Sequence, residues 1–352
     1  MENGFYRYIA ESLSNPRPIV LATIIFRSGS APREAGTTMA IFENHESMGT
    51  IGGGPLEAKV LQAAAKVIVN GQSVCLKFSF NDQQSVKGGM ICGGQVEVLL
   101  DFLESNNAMP AALFRKIADA CEAGKPAWLL RSIRPDTLNE TFVQTGLGVI
   151  SGEDIDAGSL DRTGIDPNDL KQARHPDEAR LAAGARGIRY LIQPVFPRER
   201  VIIAGAGHVG LKLAALCNMI GFATIIMDDR PDFASRDRFP ESEIVIPQAS
   251  FKNCFAGLSI DRKDGIVIVT RGHEHDRSVL FQSIGSGADY IGMIGSRRKR
   301  DAIYESLRKD GVSGEDLARV HCPIGLAIGA RTPAEIAVSI VAELIDLRNK
   351  KG

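Results

Sequence analysis

The order of elements between residues 200 and 230 constrains the fold of this chain more than any other feature of its sequence. The apolar run Val201-Ile202-Ile203-Ala204 leads into Gly205-Ala206-Gly207-His208-Val209-Gly210, and Ile225-Ile226-Met227 then ends at Asp228. A dinucleotide-binding βαβ unit has this order, with its acid about twenty residues beyond the turn. A buried βα turn that binds nothing is the alternative interpretation.

Each glycine of this turn has a physical reason. Gly205 permits the tight exit from the strand, Gly207 lets a phosphate approach the backbone, and Gly210 lets the helix pack closely on the sheet. The helix that begins near His208 offers unpaired amides and the positive end of its dipole to an anion. The turn is therefore predicted to bind the anionic part of a ligand.

The βαβ unit begins beyond the middle of the 352 residues, so another domain precedes it. A chain of this length can bury two separate cores. Pro194 and Pro197 interrupt the chain just before the unit. We place the boundary near residue 196 and predict an α/β chain: an N-terminal α+β domain over 1–196 and a Rossmann-like doubly wound parallel sheet domain over 197–352.

Apolar periodicity and glycine or proline breaks divide both domains into elements. In the first domain we predict helices at 55–69 and 109–123 and strands at 18–25, 38–42, 74–80, 96–102, 127–133, 140–145 and 189–195. In the second we predict strands at 201–204, 225–227, 244–246, 265–270 and 289–294. Apolar residues are sparse between 151 and 179, which indicates an exposed excursion or an interdomain connection with a short helix from Asp166.

The composition excludes several classes of partner. The chain has 41 basic and 42 acidic residues and a net charge of −1, so neither nucleic acid nor an anionic membrane is indicated. Six cysteines form no CxxC pair, which is typical of reduced thiols in a cytosol. The start Met1-Glu2-Asn3-Gly4 lacks the basic and apolar regions of a signal peptide, and no apolar run approaches the ~20 residues that a membrane span needs. We expect a cytoplasmic protein.

Three loops of the second domain are expected to meet, because ligands bind at the carboxyl ends of the strands in a doubly wound sheet. They are the Gly205 turn, Thr270 to Asp276, and Gly295-Ser296-Arg297-Arg298-Lys299-Arg300. Cations at a helix N-terminus oppose the dipole, so the third loop favours an anionic partner such as a phosphate, with Ser296 and Arg297 as preferred contacts. A solvated basic face is the alternative.

Two histidines and a carboxylate lie within four residues of the middle loop, at His273, His275 and Asp276. They could ligate a metal, relay protons or bind an anion. No third histidine or cysteine at zinc-site spacing accompanies them, so a polar crevice wall is favoured. Further on, Thr332, Pro333 and Glu335 predict a capping box at the start of the last helix.

The first domain has two glycine clusters of its own. Gly52-Gly53-Gly54 precedes a helix that contains Glu57 in its first turn, and Cys92 lies between Gly88-Gly89 and Gly93-Gly94. Glycines leave this thiol open, and nearby amides can favour its thiolate. The alternatives are a small apolar filler at the cysteine and a dipole effect at Glu57.

These motifs together resemble the XdhC/CoxI family of accessory proteins of molybdenum hydroxylases. The N-terminal resemblance rests on Gly29-Ser30-Ala31-Pro32-Arg33 with Gly36, on Gly52-Gly53-Gly54 with Leu56-Glu57, and on Cys92-Gly93-Gly94. The C-terminal resemblance rests on Gly205-Ala206-Gly207-His208, Asp228-Asp229-Arg230-Pro231, Thr270-Arg271-Gly272-His273, Ile294-Gly295-Ser296-Arg297-Arg298, Pro323-Ile324-Gly325 and Thr332-Pro333-Ala334-Glu335. Many relatives have a cysteine or histidine where this chain has Pro55.

The resemblance implies a chaperone rather than a catalyst. Such a factor binds molybdenum cofactor, as molybdopterin or its dinucleotide form, protects it while its terminal sulfur is installed, and delivers it to an apo molybdenum hydroxylase of the xanthine dehydrogenase type. A cysteine desulfurase is a further implied partner, and a homodimer is expected. Cys92 is the candidate soft ligand for the molybdenum end.

The predicted cofactor-binding residues combine both domains: Gly53, Glu57, Cys92, Gly205, Gly207, His208, Gly210, Asp228, Asp229, Arg230, His273, His275, Gly295, Ser296, Arg297 and Arg298. An NAD(P)-dependent oxidoreductase is the alternative, with Asp228 on the adenosine ribose and His273 or His275 as the acid-base group. Against this alternative, the half of the sheet that would bind the nicotinamide is expected to be abbreviated. A metal hydrolase, the third hypothesis, lacks ligands.

Overall fold

The computed structural model describes residues 3–15, 17–29, 33–44, 46–80, 94–105, 107–136, 141–151, 165–173, 179–184 and 188–351. The chain divides into two compact units, Met1–Pro197 and Arg198–Gly352, here called the N-terminal and C-terminal units. None of the described helices combines the length and the apolar character that a bilayer crossing requires.

The N-terminal unit contains two antiparallel sheets. Its strands are β1 (Ile19–Gly29), β2 (Thr38–Phe42), β3 (Ser47–Gly49), β4 (Val74–Phe80), β5 (Gly94–Leu103), β6 (Ala127–Asp136), β7 (Thr141–Ser151), β8 (Arg180–Ala183) and β9 (Arg189–Val195). Its described helices are α1 (Asn3–Leu13), α2 (Gly54–Asn70), α3 (Ala108–Glu122) and α4 (Pro167–Gln172). The strand orders are β3-β2-β1-β5-β4 and β7-β6-β9-β8.

A buried ion pair joins these two sheets. The guanidinium of Arg131 on β6 donates to Asp101 on β5 at 2.8 Å and to Thr23 on β1 at 2.7 Å, and it also bonds to Gln193 on β9. All four side chains are fully buried. Removing one partner of such a pair leaves an unpaired charge in the core, so the network strongly specifies how the sheets pack.

The C-terminal unit is a doubly wound sheet. Its strands are β10 (Arg200–Ala204), β11 (Ala223–Asp228), β12 (Ile244–Pro247), β13 (Gly265–Ile268), β14 (Tyr290–Met293) and β15 (Val320–His321). Its helices are α5 (His208–Met219), α6 (His273–Ile284), α7 (Arg297–Lys309), α8 (Gly314–Ala318) and α9 (Pro333–Lys351). All six strands are parallel, in the order β12-β11-β10-β13-β14-β15. The order reverses between β10 and β13, which is the topological switch point.

The sheet is covered on both faces, which explains the continuous apolar runs of its strands. Ile202 on β10 packs in one cluster with Leu280 of α6 and Leu307 of α7. Its neighbour Ile203 packs in the opposite cluster with Leu213 of α5 and Ile340 of α9. Alternating side chains of one strand therefore bury two layers of helices.

The predicted Rossmann-like, doubly wound class is confirmed, and the sheet has one strand that was not predicted. Five of its strands are identified from the sequence, and β15 completes a sheet of six. This strand has two residues and only two paired positions with β14. A segment this short has no detectable period, so its pairing comes from the neighbouring strand rather than from its own pattern.

Candidate functional site

The glycine turn after β10 is shaped by close backbone contacts. Gly205 has a φ of 120°, and a Cβ there would lie 2.9 Å from the amide nitrogen of Thr270, beyond β13. A Cβ on Gly210 would overlap the carbonyl oxygen of Gly205. Gly207 differs, since a Cβ there would meet nothing within 4 Å. The fold requires Gly205 and Gly210, whereas Gly207 leaves open space before α5.

Two helices at the switch point begin without a side-chain cap. The N-cap residues of α5 and α6 are Gly207 and Gly272, and neither helix has a side-chain cap hydrogen bond. By contrast, Asn107, Ser296 and Ser313 cap α3, α7 and α8 with their side chains. First-turn amides without such a partner bind anions. Because α5 and α6 follow β10 and β13, both sets of amides lie at the same edge of the sheet.

The three loops that the sequence predicts to meet lie together, because the Gly205 turn packs against Thr270 and a side-chain ion pair joins the Thr270 to Asp276 loop to α7. Arg271, beyond β13, donates to Asp229, beyond β11, at 2.6 Å. Asp276 is fully buried in the first turn of α6 and pairs with Lys299 of α7. Thr270 donates to the same carboxylate at 2.6 Å. The loops therefore form one rim at the carboxyl ends of the strands.

The four cations at the start of α7 divide into two pairs. Lys299 is bound to Asp276 and lies 3.3 Å from the carbonyl oxygen of Ile294, and Arg300 pairs with its neighbour Asp301. Arg297 and Arg298 are exposed, and neither has a hydrogen-bond or ion-pair partner within the described residues. Two positive charges thus remain available to an anion beside Ser296 and Gly295.

Asp228, the carboxylate at the end of β11, is already saturated. It is 2% exposed and accepts hydrogen bonds from the Ala206 amide at 2.8 Å and the Arg230 amide at 3.0 Å. The Arg230 guanidinium adds bonds of 2.8 and 2.9 Å and stacks on Phe233. Burial acts to raise the pKa of Asp228, but these hydrogen bonds outweigh it and the pKa is lowered. Asp228 is an internal anion that fixes the turn.

The next residue, Asp229, has spare bonding capacity. Its side chain is 12% exposed, and its Oδ2 accepts from Arg271 and lies 3.8 Å from Nε2 of His275. Its Oδ1 is buried and has no hydrogen-bond partner among the described residues. The dinucleotide pattern in the sequence points to the first acid after the strand, so sequence reasoning gives no sign of this difference between Asp228 and Asp229.

The histidines and two further rim residues complete the crevice wall. His273, the first residue of α6, is exposed, and the ring of His275 lies 5.3 Å from that of Phe251. Arg238 donates to the carbonyl oxygen of Ala206 at 3.1 Å. Sequence reasoning missed Arg238 as a rim residue, and it placed Lys299 in the basic loop without assigning it a contact. Lys299 was visible in the basic run, whereas no pattern distinguishes Arg238.

The last loop of the rim is fixed by Glu343 of α9. Its carboxylate accepts from the Tyr290 hydroxyl at 2.6 Å and from the Gly325 amide at 3.0 Å, and it lies 3.1 Å from His321. Gly325 has a φ of 89° and packs against Ser339, which favours tight packing as the reason for this glycine. The predicted capping box is confirmed, because Glu335 bonds reciprocally with Thr332.

The predicted residues of the first domain lie in the N-terminal unit or outside the described residues. Glu57 accepts from the Thr50 hydroxyl at 2.6 Å and from the amides of Ile51 at 3.3 Å and Gly53 at 3.1 Å. The Glu57 carboxylate thus binds the glycine turn that precedes its own helix. Cys92 is outside the described residues. Within them, no three metal-ligating side chains come together, and the other five cysteines are buried thiols that form no disulfide with one another.

Comparison with known families matches both units. Residues 201–344 match the family described as the XdhC Rossmann domain, and residues 12–79 match the XdhC and CoxI family.

Curated relatives and a solved structure extend along most of the chain. A Bacillus subtilis protein, named as a probable subunit of xanthine dehydrogenase, is 24% identical and covers 99% of this chain and 98% of its own length. The Escherichia coli molybdenum cofactor insertion chaperone PaoD is 22% identical over 97% of this chain and 87% of its own. A Bacillus halodurans crystal structure described as a xanthine dehydrogenase is 24% identical, has a TM-score of 0.76, and covers 100% of this chain and 97% of its own.

Proposed function

The chain belongs to the XdhC and CoxI family, and from this membership we propose that it is an accessory protein for the maturation of a molybdenum hydroxylase. The names of two relatives over nearly the whole chain support this role, since one is a molybdenum cofactor insertion chaperone and the other is named for xanthine dehydrogenase. Its cargo is molybdenum cofactor, and its recipient is an apoenzyme of the xanthine dehydrogenase type.

The observation that carries the proposal is the pair of uncapped helices at the switch point. The amides that follow Gly207 and Gly272 face one edge of the sheet, beside the exposed cations Arg297 and Arg298. Molybdopterin has a phosphate and its dinucleotide form a pyrophosphate, so both carry the anion that such a site recognises. We assign the anionic end of the cofactor to this crevice.

The described residues fit the anionic end of the cofactor and include no ligand for its metal end. The described thiols are buried, and burial raises the pKa of Cys217 to about 12 and that of Cys254 to about 11, so both stay protonated. Cys92 remains the proposed soft ligand. A cysteine desulfurase that supplies the terminal sulfur and a homodimer remain further proposals.

The alternative, an NAD(P)-dependent oxidoreductase, is favoured by the glycine turn alone. The sequence assigns the adenosine ribose of this alternative to Asp228. Asp228 has no free position for a hydroxyl, since two amides and the Arg230 guanidinium occupy it. Calorimetric titration with NAD(H) and NADP(H) separates the two functions. Tight nicotinamide binding without pterin affinity would favour the oxidoreductase.

Copurification tests the proposal directly. The chain, produced in cells that make molybdenum cofactor, is expected to retain pterin, which is released by oxidation and quantified by fluorescence. The double variant Arg297→Ala/Arg298→Ala should lose about tenfold or more, since charge-assisted hydrogen bonds contribute about 1.5–3 kcal/mol each. Arg262→Ala removes an exposed cation at the amino end of β13 and should change nothing. Pterin-free wild-type protein, or unchanged pterin in the double variant, would contradict the proposal.

A further inference from the structure

Two adjacent carboxylates, Asp228 and Asp229, lie at the carboxyl end of β11, and only one of them can accept a hydrogen bond from a ligand hydroxyl. Asp228 accepts from two backbone amides and two guanidinium nitrogens at 2.8 to 3.0 Å. An ionised carboxylate has about four acceptor positions, so Asp228 is fully used inside the protein. A ribose hydroxyl could bind there only by displacing Arg230 or the amide that holds the glycine turn.

Asp229 is the opposite case. Its Oδ1 is buried from solvent and has no hydrogen-bond donor among the described residues, although its Oδ2 is held by Arg271. A buried polar atom without a partner costs about 1–3 kcal/mol, so a donor from outside the protein would gain this energy. The Arg271 side chain is half exposed and that of His275 is about one-third exposed, so the groups that reach this carboxylate have room to move.

The position of Asp229 indicates what kind of donor would reach it. The amides proposed to bind the phosphate lie at the N-terminus of α5, after β10. Asp229 follows β11, the strand next to β10. In doubly wound sheets a nucleoside joined to a phosphate at the first turn places its ribose hydroxyls at the end of this second strand. Hydroxyl groups are neutral donors that pair well with a carboxylate oxygen.

We propose that Asp229, rather than Asp228, is the hydroxyl-recognising acid of the crevice, and that its ligand carries a ribose 5′-phosphate. This inference rests on the proposed function and makes it narrower: the cargo is bound through a nucleotide portion, as in a pterin dinucleotide. The same chemistry occurs in nicotinamide dinucleotides, so the test includes both.

Calorimetry of the full chain tests the proposal with the 5′-phosphates of the four ribonucleosides, their 2′,3′-dideoxy counterparts, and NAD⁺. At least one ribonucleotide should bind roughly tenfold more tightly than its dideoxy counterpart, which lacks the hydroxyls. Asp229→Asn should abolish this preference. Asp232→Asn, an exposed acid of the same loop, should retain it. The dideoxy ligands test the wild-type protein, so the result does not depend on the folding of a variant.

Several outcomes would overturn the inference. They are equal affinity for ribo- and dideoxynucleotides, a preference that survives in Asp229→Asn, and no binding of any nucleotide. Inorganic pyrophosphate separates this failure from failure of the proposed function. If pyrophosphate binds wild type and not Arg297→Ala/Arg298→Ala, while nucleotides show no hydroxyl preference, only the inference fails. If the ribonucleotide preference is present, NAD⁺ binds wild type and not Asp229→Asn, and copurified pterin is absent, the inference stands and the proposed function fails.

Discussion

Neighbouring residues of the same type have different roles at this rim because their partners differ. Asp228 and Asp229 are adjacent carboxylates, yet the first neutralises Arg230 and the second keeps an oxygen without a partner among the described residues. Lys299 and Arg297 are near neighbours on α7, yet Asp276 neutralises only the first. Sequence patterns identify these positions but do not give the direction of each side chain, which depends on contacts across loops.

Acid should weaken the C-terminal unit through Asp228. The folded-state pKa of Asp228 is lowered, so its contribution to stability is complete above its ordinary pKa of about 3.9 and is lost as the pH falls through the lowered value. Asp228→Asn should therefore lower the free energy of unfolding by about 1–3 kcal/mol at neutral pH. The difference from wild type should shrink in acid.

Hydrogen exchange of amides in β10 and β11, at neutral pH and in acid at successive steps below the ordinary pKa of about 3.9, measures this effect. Asp232→Asn, on the same loop but exposed, serves as the control. A deficit in Asp228→Asn that stays constant between the two conditions would show that the carboxylate is not the source of the stability.

Among elements, the glycine turn with α5 was the most predictable from sequence, because Gly205 and Gly210 each have a separate steric reason and Gly207 leaves space for a ligand. The strands 38–42, 74–80 and 189–195 were also predicted at their observed bounds. The helix Asn3–Leu13 and the short strands Ser47–Gly49 and Val320–His321 were missed. Short strands are set by pairing with neighbours, and such contacts leave little trace in a local pattern.

Two glycines of the turn should respond differently to alanine. In Gly210→Ala the new methyl overlaps the Gly205 carbonyl, so the C-terminal unit should lose about 2 kcal/mol or more. In Gly207→Ala the methyl enters open space at a φ of −72°, so the loss should be about 1 kcal/mol or less. Its effect should instead be on pyrophosphate, with binding roughly tenfold weaker.

Calorimetric unfolding and titration of both variants check this contrast. Gly221→Ala has a positive φ but lies at the far end of α5, so it serves as a control that strains the backbone without affecting pyrophosphate binding. Equal stability losses in Gly207→Ala and Gly210→Ala, or undiminished binding in Gly207→Ala, would contradict the roles assigned to the two glycines.

At the scale of the whole molecule, the chain consists of two compact units with different kinds of sheet. The parallel sheet of the C-terminal unit was predictable, since strands buried on both faces leave long apolar runs between helices. The mixed order of predicted helices and strands in the N-terminal unit indicated an α+β class, but it did not predict the division of the strands into two antiparallel sheets. The buried pair Arg131 and Asp101 joins the two sheets, and no local pattern reveals the partnership of these two charged residues.

Hydrogen exchange of the full chain with and without purified molybdenum cofactor tests the central claim most directly. Bound cofactor should slow exchange of the amides at 207–210, 272–275 and 297–298, because the anion accepts hydrogen bonds from the starts of these helices; the Lys299 amide is already bonded to the Ser296 hydroxyl. Amides at 259–264, before β13 at the amino ends of the strands, should be unchanged. Arg297→Ala/Arg298→Ala should lose the protection at the same cofactor concentration. Cofactor binding with no protection at these three segments would contradict the assignment of its anionic end to this crevice.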